Sequence, residues 1–179
     1  DREAFVTEVT DSGHGPDIKL STPGLGRRVS TELVERFGGS VSESETLVTE
    51  DGDGNEVYRV TYAVRLPAFR PGDVIDVPAA DGPVLVQSVR GNLKGVDLQT
   101  GEPFDVTFED GVVPEATLIG SRADAAETTV VSVPDENAVQ VLDPATQETV
   151  TVARPDFFDP EVRTVAVVRV ADGLHLLPP

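Results

Sequence analysis

The chain has no cysteine, no methionine and no tryptophan, and only two of its 14 basic residues are lysines. Without cysteine it can form neither disulfide bonds nor a thiolate metal site. No run of about eighteen consecutive apolar residues occurs, so no membrane-spanning helix is predicted. The first residues, DREAFVTEVT, lack a signal-peptide pattern and resemble the interior of a longer protein. We therefore expect a fragment without a membrane partner.

The charge of the chain is strongly unbalanced. There are 32 acidic and 14 basic residues, and the formal net charge is −18. At low salt such a chain would repel nucleic acids and anionic membranes. In molar salt the Debye length falls to ~3 Å, and many hydrated carboxylates keep a protein soluble. The bias towards Asp and against Lys runs along the whole chain, which favours salt adaptation and leaves an RNA partner possible.

The apolar pattern predicts an α+β fold in three parts. Residues 1–69 predict a two-layer β-β-α-β-β module, in which one helix packs across one sheet. Thr22 as N-cap, Pro23 at the first helical position and Gly38 after the last turn delimit that helix. Its apolar side is predicted from four residues at helical spacing: Leu25, Val29, Leu33 and Phe37. Residues 70–120 and 121–179 predict two small mainly-β modules, SH3-like or OB-like barrels.

A short pattern occurs twice in the β-rich part. VDLQTGE (96–102) and LDPATQE (142–148) share D-x-x-T-x-E. In such a turn the Asp accepts backbone N–H bonds and the Thr braces the far side. Chance recurrence remains an alternative to a repeated β module. The segment before the first copy is the basic RGNLKG, whereas the segment before the second is the acidic PDEN.

The segment RGNLKG (90–95) is the main candidate for contact with a polyanion. Gly91 and Gly95 would allow positive φ and a close backbone approach. Arg90 and Lys94 would then contact phosphate oxygens, and Asn92 would bond a sugar or a base edge. The alternative is a tight hairpin whose charged side chains only face water.

Other patterns give no catalytic or metal site. DGDGNE (51–56) begins like a calcium loop, but Glu56 and Tyr62 replace the required Gly and Glu, so a hairpin turn is predicted. His14 and His175 have no partner at ligand spacing. No nucleophile motif and no phosphate-binding glycine loop is present. We therefore expect a protein that is not an enzyme.

Three longer segments resemble the 60S ribosomal export adaptor family, the nonsense-mediated-decay-three family, in its haloarchaeal form. They are ETLVTEDGDGNEVYRVTYAVRLPAFRPGDVI, GPVLVQSVRGNLKGVDLQTGE and AVQVLDPATQETVTVARPDFFDP, and the resemblance covers nearly the whole chain. Family members begin with a zinc-binding region of C-x-x-C pairs. The resemblance thus implies that this chain is the body without that region, and that it holds no cofactor itself.

The family resemblance also implies a partner and a location. It implies a ribosomal-protein-like module followed by β modules similar to the translation factor of the ribosomal exit site. The expected partner is the large ribosomal subunit, both rRNA and ribosomal proteins, bound on its intersubunit face by a cytoplasmic monomer. The RNA-binding residues would be Arg90, Asn92 and Lys94, with a second patch on the helix: Arg27, Arg28 and Arg36. A protein-only interaction module and a small-molecule enzyme with a deep pocket remain alternatives.

Overall fold

The predicted α+β fold is confirmed. The computed structural model describes residues 4–13, 15–50, 56–108 and 114–179. The N-terminal module consists of β1 (Val6–Asp11), β2 (Pro16–Leu20), α1 (Pro23–Phe37), β3 (Ser40–Glu50) and β4 (Glu56–Arg65). His14 and the turn predicted at 51–55 lie outside the described residues. No helix in the described ranges is long and apolar enough to cross a membrane.

The two ends of α1 lie where the sequence predicts them. Thr22 is the N-cap, and its Oγ1 accepts a hydrogen bond from the Leu25 N–H at 3.3 Å. Gly38 ends the helix with φ +79°, and its N–H donates to the Val34 carbonyl at 2.9 Å. A left-handed residue at this position is usually glycine, because glycine has no Cβ to clash with the preceding turn. The predicted helix boundaries are therefore confirmed.

The side of α1 that packs inward differs from the prediction. The buried residues of the helix are Gly26 and Ser30, whereas Val29 and Phe37 are exposed. A Cβ on Gly26 would lie 2.8 Å from the Tyr62 ring on β4. The helix thus approaches β4 through its smallest side chains, which leaves the predicted apolar stripe partly facing solvent. Of the four predicted apolar residues, Leu25 and Leu33 are half-buried, whereas Val29 and Phe37 remain exposed.

The four N-terminal strands form two separate ribbons rather than the predicted single sheet. β1 pairs with β2, and β3 pairs with β4, both antiparallel. Side chains along β1 and β2 are exposed almost throughout. No buried face therefore requires this ribbon to join β3 and β4. The module keeps the predicted element order with a different pairing.

The next five strands form one antiparallel sheet. They are β5 (Asp73–Asp76), β6 (Val84–Ser88), β7 (Asn92–Asp97), β8 (Pro103–Thr107) and β9 (Thr117–Ser121), in the order β8-β7-β6-β5-β9. Their buried core consists of six aliphatic residues and two phenylalanines: Phe69, Ile75, Val77, Val84, Val86, Val89, Leu93 and Phe108. Phe69 belongs to the connection from β4, so it anchors that connection to the sheet.

A short 3₁₀ helix (Arg122–Asp124) leads to the second five-stranded sheet. Its strands are β10 (Ala126–Ser132), β11 (Ala138–Leu142), β12 (Thr149–Ala153), β13 (Thr164–Val170) and β14 (Gly173–Leu176). Their order is β12-β11-β10-β13-β14, and the edge strands β12 and β14 approach each other. This sheet is therefore nearly closed into a small barrel.

The two β modules share part of their core. Val74, Leu85 and Leu98 of the first module form one buried cluster with residues of the second module: Val168, Val170 and Leu177. The Asp156 N–H also donates to the Thr100 carbonyl at 2.8 Å. The domain boundaries 1–69, 70–120 and 121–179 stay a prediction, and the apolar contact runs across the last of them.

The repeated D-x-x-T-x-E pattern forms the same turn twice. Each copy connects two paired strands, β7 to β8 and β11 to β12. Asp97 Oδ1 accepts from the Gln99 and Thr100 N–H groups at 2.8 and 3.0 Å, and Asp143 Oδ1 accepts from the Ala145 N–H at 2.9 Å. In both turns the Thr hydroxyl accepts from the N–H of the following Glu. The predicted roles of Asp and Thr are confirmed.

Candidate nucleic-acid interface

The basic segment 90–95 is a tight turn followed by a strand, not a protruding loop. Only residues 89–91 connect β6 and β7, and Asn92 to Gly95 belong to β7. Gly91 has φ +71°, as predicted, and nothing lies within 4 Å of a Cβ placed there. Gly95 has no positive φ, and a Cβ there would lie 2.5 Å from the Leu85 carbonyl oxygen. Gly95 therefore allows two strands to pack closely and is not a hinge.

Two of the predicted RNA-binding residues share one carboxylate. Asn92 Nδ2 donates to Asp105 Oδ1 at 2.7 Å, and Lys94 Nζ lies 3.4 Å from Asp105 Oδ2. Lys94 and Asp105 are also direct cross-strand partners on β7 and β8. Such a pair lowers the positive potential that Lys94 presents to solvent, because the carboxylate supplies the opposite charge at short range.

The arginines of α1 do not form one patch. Arg27 Nη2 donates to both carboxylate oxygens of Glu43 on β3, at 3.0 and 3.1 Å. The pKa of Arg27 is raised, first by a hydrogen bond with the Tyr62 side chain and second by the Glu43 carboxylate. Arg28 is exposed and makes no ion pair with the residues that the structure describes. Arg36 lies at the other end of the helix, about 13 Å along the axis from Arg27 at ~1.5 Å per residue.

Arg90 connects the first β module to the end of α1. Its Nη2 donates to the Glu35 carbonyl in the last turn of the helix at 2.7 Å. Next to it, the Gly39 N–H donates to the Val89 carbonyl at 2.6 Å, and Gly39 and Arg90 form an isolated parallel bridge. A cation at a helix C-terminus is favourable, because the free carbonyls there carry partial negative charge. Arg90 therefore has a structural role beside any role in binding.

Three arginines line one open cleft where α1 meets the first β module. We call it the arginine cleft; its volume is about 440 Å³. Arg36 comes from the end of α1, Arg70 from the connection to β5, and Arg90 from the β6–β7 turn. The other lining residues are uncharged: Phe37, Gly38, Pro71, Gln87, Ser88 and Val89. In a chain with a net charge of −18, this cleft thus combines three cations with no carboxylate in its lining.

Sequence reasoning missed Arg70. Its backbone N–H donates to Asp73 Oδ2 at 2.9 Å, and the preceding Phe69 is buried in the core. These contacts fix the backbone of Arg70 and leave its side chain exposed. None of the three cleft arginines makes an ion pair with a carboxylate in the described part of the chain. The feature of the sequence that could have identified Arg70 is its position outside any predicted helix or strand, in the proline-containing segment LPAFRPGD.

The arginine cleft is lined by three guanidinium groups and no carboxylate, so its local charge is suited to an anionic group. Residues 1–66 match the family model described as NMD3, second domain. The match covers the N-terminal module, 66 of 179 residues, and supports a relationship with the NMD3 family over that segment. No curated protein matches the chain significantly.

Proposed function

We propose that this protein is an NMD3-family factor that binds the large ribosomal subunit through rRNA phosphates at the arginine cleft. The observation that carries the proposal is the lining of the cleft, which has three guanidinium groups and no carboxylate. The match of residues 1–66 to the NMD3 second domain supports large-subunit RNA, rather than another polyanion, as the partner. The family resemblance of the remaining segments agrees with this choice.

Guanidinium chemistry suits a phosphate partner. Arginine presents planar N–H donors that bind two phosphate oxygens at once, and it stays charged at any physiological pH. Arg90 already uses one Nη on Glu35 and keeps further N–H groups available. Phosphate contacts position a protein on RNA and carry no sequence information by themselves. Three arginines from three separate segments would therefore fix where the protein lies on the subunit.

The acidic surface is part of the same proposal. We regard it as an adaptation to a haloarchaeal cytoplasm, where salt screens repulsion beyond about 3 Å at molar concentration. Contacts at hydrogen-bond distance lie within that length, so the guanidinium–phosphate contacts persist in brine. The net charge of −18 therefore does not oppose RNA binding under those conditions.

The action we propose is occupancy without a chemical step. A monomer would cover part of the intersubunit face, contacting rRNA and neighbouring ribosomal proteins, and would prevent the small subunit or a tRNA from binding there. This corresponds to a late assembly or quality-control factor. The cleft is open to solvent and does not enclose its contents, which suits contact with a large partner better than enclosure of a small substrate.

Binding to purified large subunits tests the proposal. We expect Arg70→Glu to weaken co-sedimentation in multimolar KCl by ~1–3 kcal/mol, because it removes a charge-assisted contact and adds repulsion. Arg36→Glu should act similarly, and the double variant should act more strongly. Arg163→Glu is the matched control, since Arg163 is exposed in the second β module and lies outside the cleft. Equal affinity of the cleft variants and the parent would exclude the arginine cleft from the interface.

Exposed apolar side chains favour a second candidate, a protein-only interaction module. On the β1–β2 ribbon Val6, Val9 and Ile18 are each about half exposed. Apolar residues grouped on a surface often mark a contact with another protein. In this case the protein would remain associated with ribosomal proteins after nuclease digestion, and charge reversal at Arg70 would have no effect.

A further inference from the structure

Phe37 lies at the edge of the arginine cleft and is half exposed. It is the last residue of α1, and 49% of its surface is accessible. Its ring lines both the cleft and a smaller adjoining hollow of about 150 Å³. A phenylalanine usually buries its ring, because most of its free energy of transfer comes from apolar area. Here the ring is instead half exposed, in a cleft that is also lined by three arginines.

The hollow next to the cleft suits an uncharged ring better than a phosphate. Val29 and Leu33 form its apolar wall, together with Phe37. Glu32 also lines it, and a carboxylate repels a phosphate but accepts hydrogen bonds from the N–H groups of a base. Arg36 and Phe37 line both the hollow and the cleft. The cleft lining has no carboxylate, so the carboxylate of Glu32 makes the hollow the less favourable of the two spaces for a phosphate.

The guanidinium of Arg36 is already held against the aromatic ring. Its Cζ lies 5.4 Å from the centroid of Phe37, within the distance of a cation–π contact. This contact restricts the long Arg36 side chain before any ligand binds, which lowers the entropy lost on binding. In the cleft wall, the side chains of Gln87 and Ser88 make no hydrogen bonds with other described residues and remain available to a ligand.

We propose that this site binds unpaired RNA, with phosphates on the three cleft arginines and one base stacked on Phe37. The inference rests on the proposed function and specifies the form of RNA that the cleft takes. A duplex hides the faces of its bases, whereas an unpaired segment exposes them for stacking on aromatic side chains. The combination of a cationic groove with an exposed ring is the usual arrangement for single-stranded nucleic acid.

Competition between RNA and inorganic polyphosphate tests the stacked base. The probe is a fluorescently labelled twelve-residue oligouridine, whose anisotropy is followed in KCl titrations of the full chain. Phe37→Leu should weaken oligouridine binding about 5- to 150-fold, because a stacked base contributes that much. The same variant should weaken polyphosphate binding far less, because there it loses only the contact that restricts Arg36. Phe37→Tyr keeps the aromatic face and should restore the parental affinity, and Phe5→Leu serves as a control, since Phe5 is exposed outside the site.

The outcomes separate the two proposals. Parental affinity in Phe37→Leu, equal competition by duplex RNA of the same length, or no oligouridine binding at all would each overturn the stacked-base inference. If Arg70→Gln still weakened large-subunit binding in those cases, the proposed function would stand with phosphate contacts alone. If Arg70→Gln and Arg36→Gln left large-subunit binding unchanged, the proposed function itself would fail. Circular dichroism of each variant excludes loss of folding as the cause.

Discussion

Removing the Asp97 side chain should destabilise the first β module by a calculable amount. Asp97 is buried, and its two oxygens accept three backbone N–H groups: Gly82, Gln99 and Thr100. A buried donor left without a partner costs about 1–3 kcal/mol. Gln99 is exposed, so water replaces its partner in the Asp97→Ala variant. Gly82 and Thr100 are half-buried, so the lower part of that range, about 1–2 kcal/mol, applies to each. The expected loss in free energy of unfolding is therefore ~2–4 kcal/mol.

The Asp97→Asn variant separates hydrogen-bond geometry from charge. Its Oδ1 still accepts from Gln99 and Thr100, while the new amide group faces the Gly82 N–H and cannot accept from it. We expect a loss of about 1–2 kcal/mol, roughly half that of the alanine variant. Asp76→Ala is the matched control, because Asp76 is exposed and the variant changes the net charge equally.

Urea denaturation in multimolar KCl, followed by circular dichroism, measures these differences. For a chain of this size ~1 kcal/mol corresponds to about 2–4 °C in Tm, so thermal melts give an independent value. Equal losses in Asp97→Asn and Asp97→Ala would show that the carboxylate acts through its charge. A stability of Asp97→Ala equal to that of Asp76→Ala would refute the reasoning that these N–H groups need a buried acceptor.

Three further predictions follow from the charge pattern, the second turn and the junction at α1. The free energy of unfolding should rise with KCl, because the Debye length falls from ~10 Å at 0.1 M to ~3 Å at 1 M; melts that do not change with salt would contradict salt adaptation. The pKa of Asp143 is lowered mainly by its hydrogen bond with the Arg169 guanidinium and then by that with the Ala145 N–H. The ionised Asp143 therefore stabilises the fold above the ordinary pKa of 3.8, and this stabilisation is lost as the pH falls through the lower pKa of the folded state. Arg169→Gln should therefore lose stability against the parent at neutral pH, and the difference should shrink below that value in urea denaturation; a pH-independent difference would contradict this. Gly39→Ala should lower the free energy of unfolding by at least ~1–3 kcal/mol, since Gly39 has φ +93° and a Cβ there would lie 2.0 Å from the Arg65 carbonyl oxygen. Gly24→Ala is the control and should be neutral or stabilising in thermal melts, because nothing lies within 4 Å of a Cβ at Gly24.

Features that depend on neighbouring residues were predictable from the sequence. The ends of α1 follow from Thr22 and Gly38, since capping needs only a local side-chain oxygen and a residue that tolerates positive φ. The repeated turn follows from Asp97 and Asp143, whose side chains accept from the N–H groups of residues two or three positions later. Each of these contacts spans only a few positions, so short patterns contain the information.

The arginine cleft depends on contacts between distant segments and was not predictable in this way. Arg36, Arg70 and Arg90 come together because the end of α1 lies against the β6–β7 turn. That contact requires Gly38, where a Cβ would lie 2.3 Å from Val89 Cγ2. Sequence patterns identified Arg36 and Arg90 as candidates in two separate patches, but no pattern shows which segments meet. For the same reason the Asp105 partner of Lys94 emerged only from the pairing of β7 and β8.

The apolar cluster that joins the two β modules has a consequence for folding. A chain cut between residues 120 and 121 would expose Val74 and Leu85 on one piece and Val168 on the other. Each piece would then expose an apolar surface to solvent and tend to aggregate. Residues 70–179 should accordingly melt as one cooperative unit, while the thinly covered N-terminal ribbons open at lower free energy.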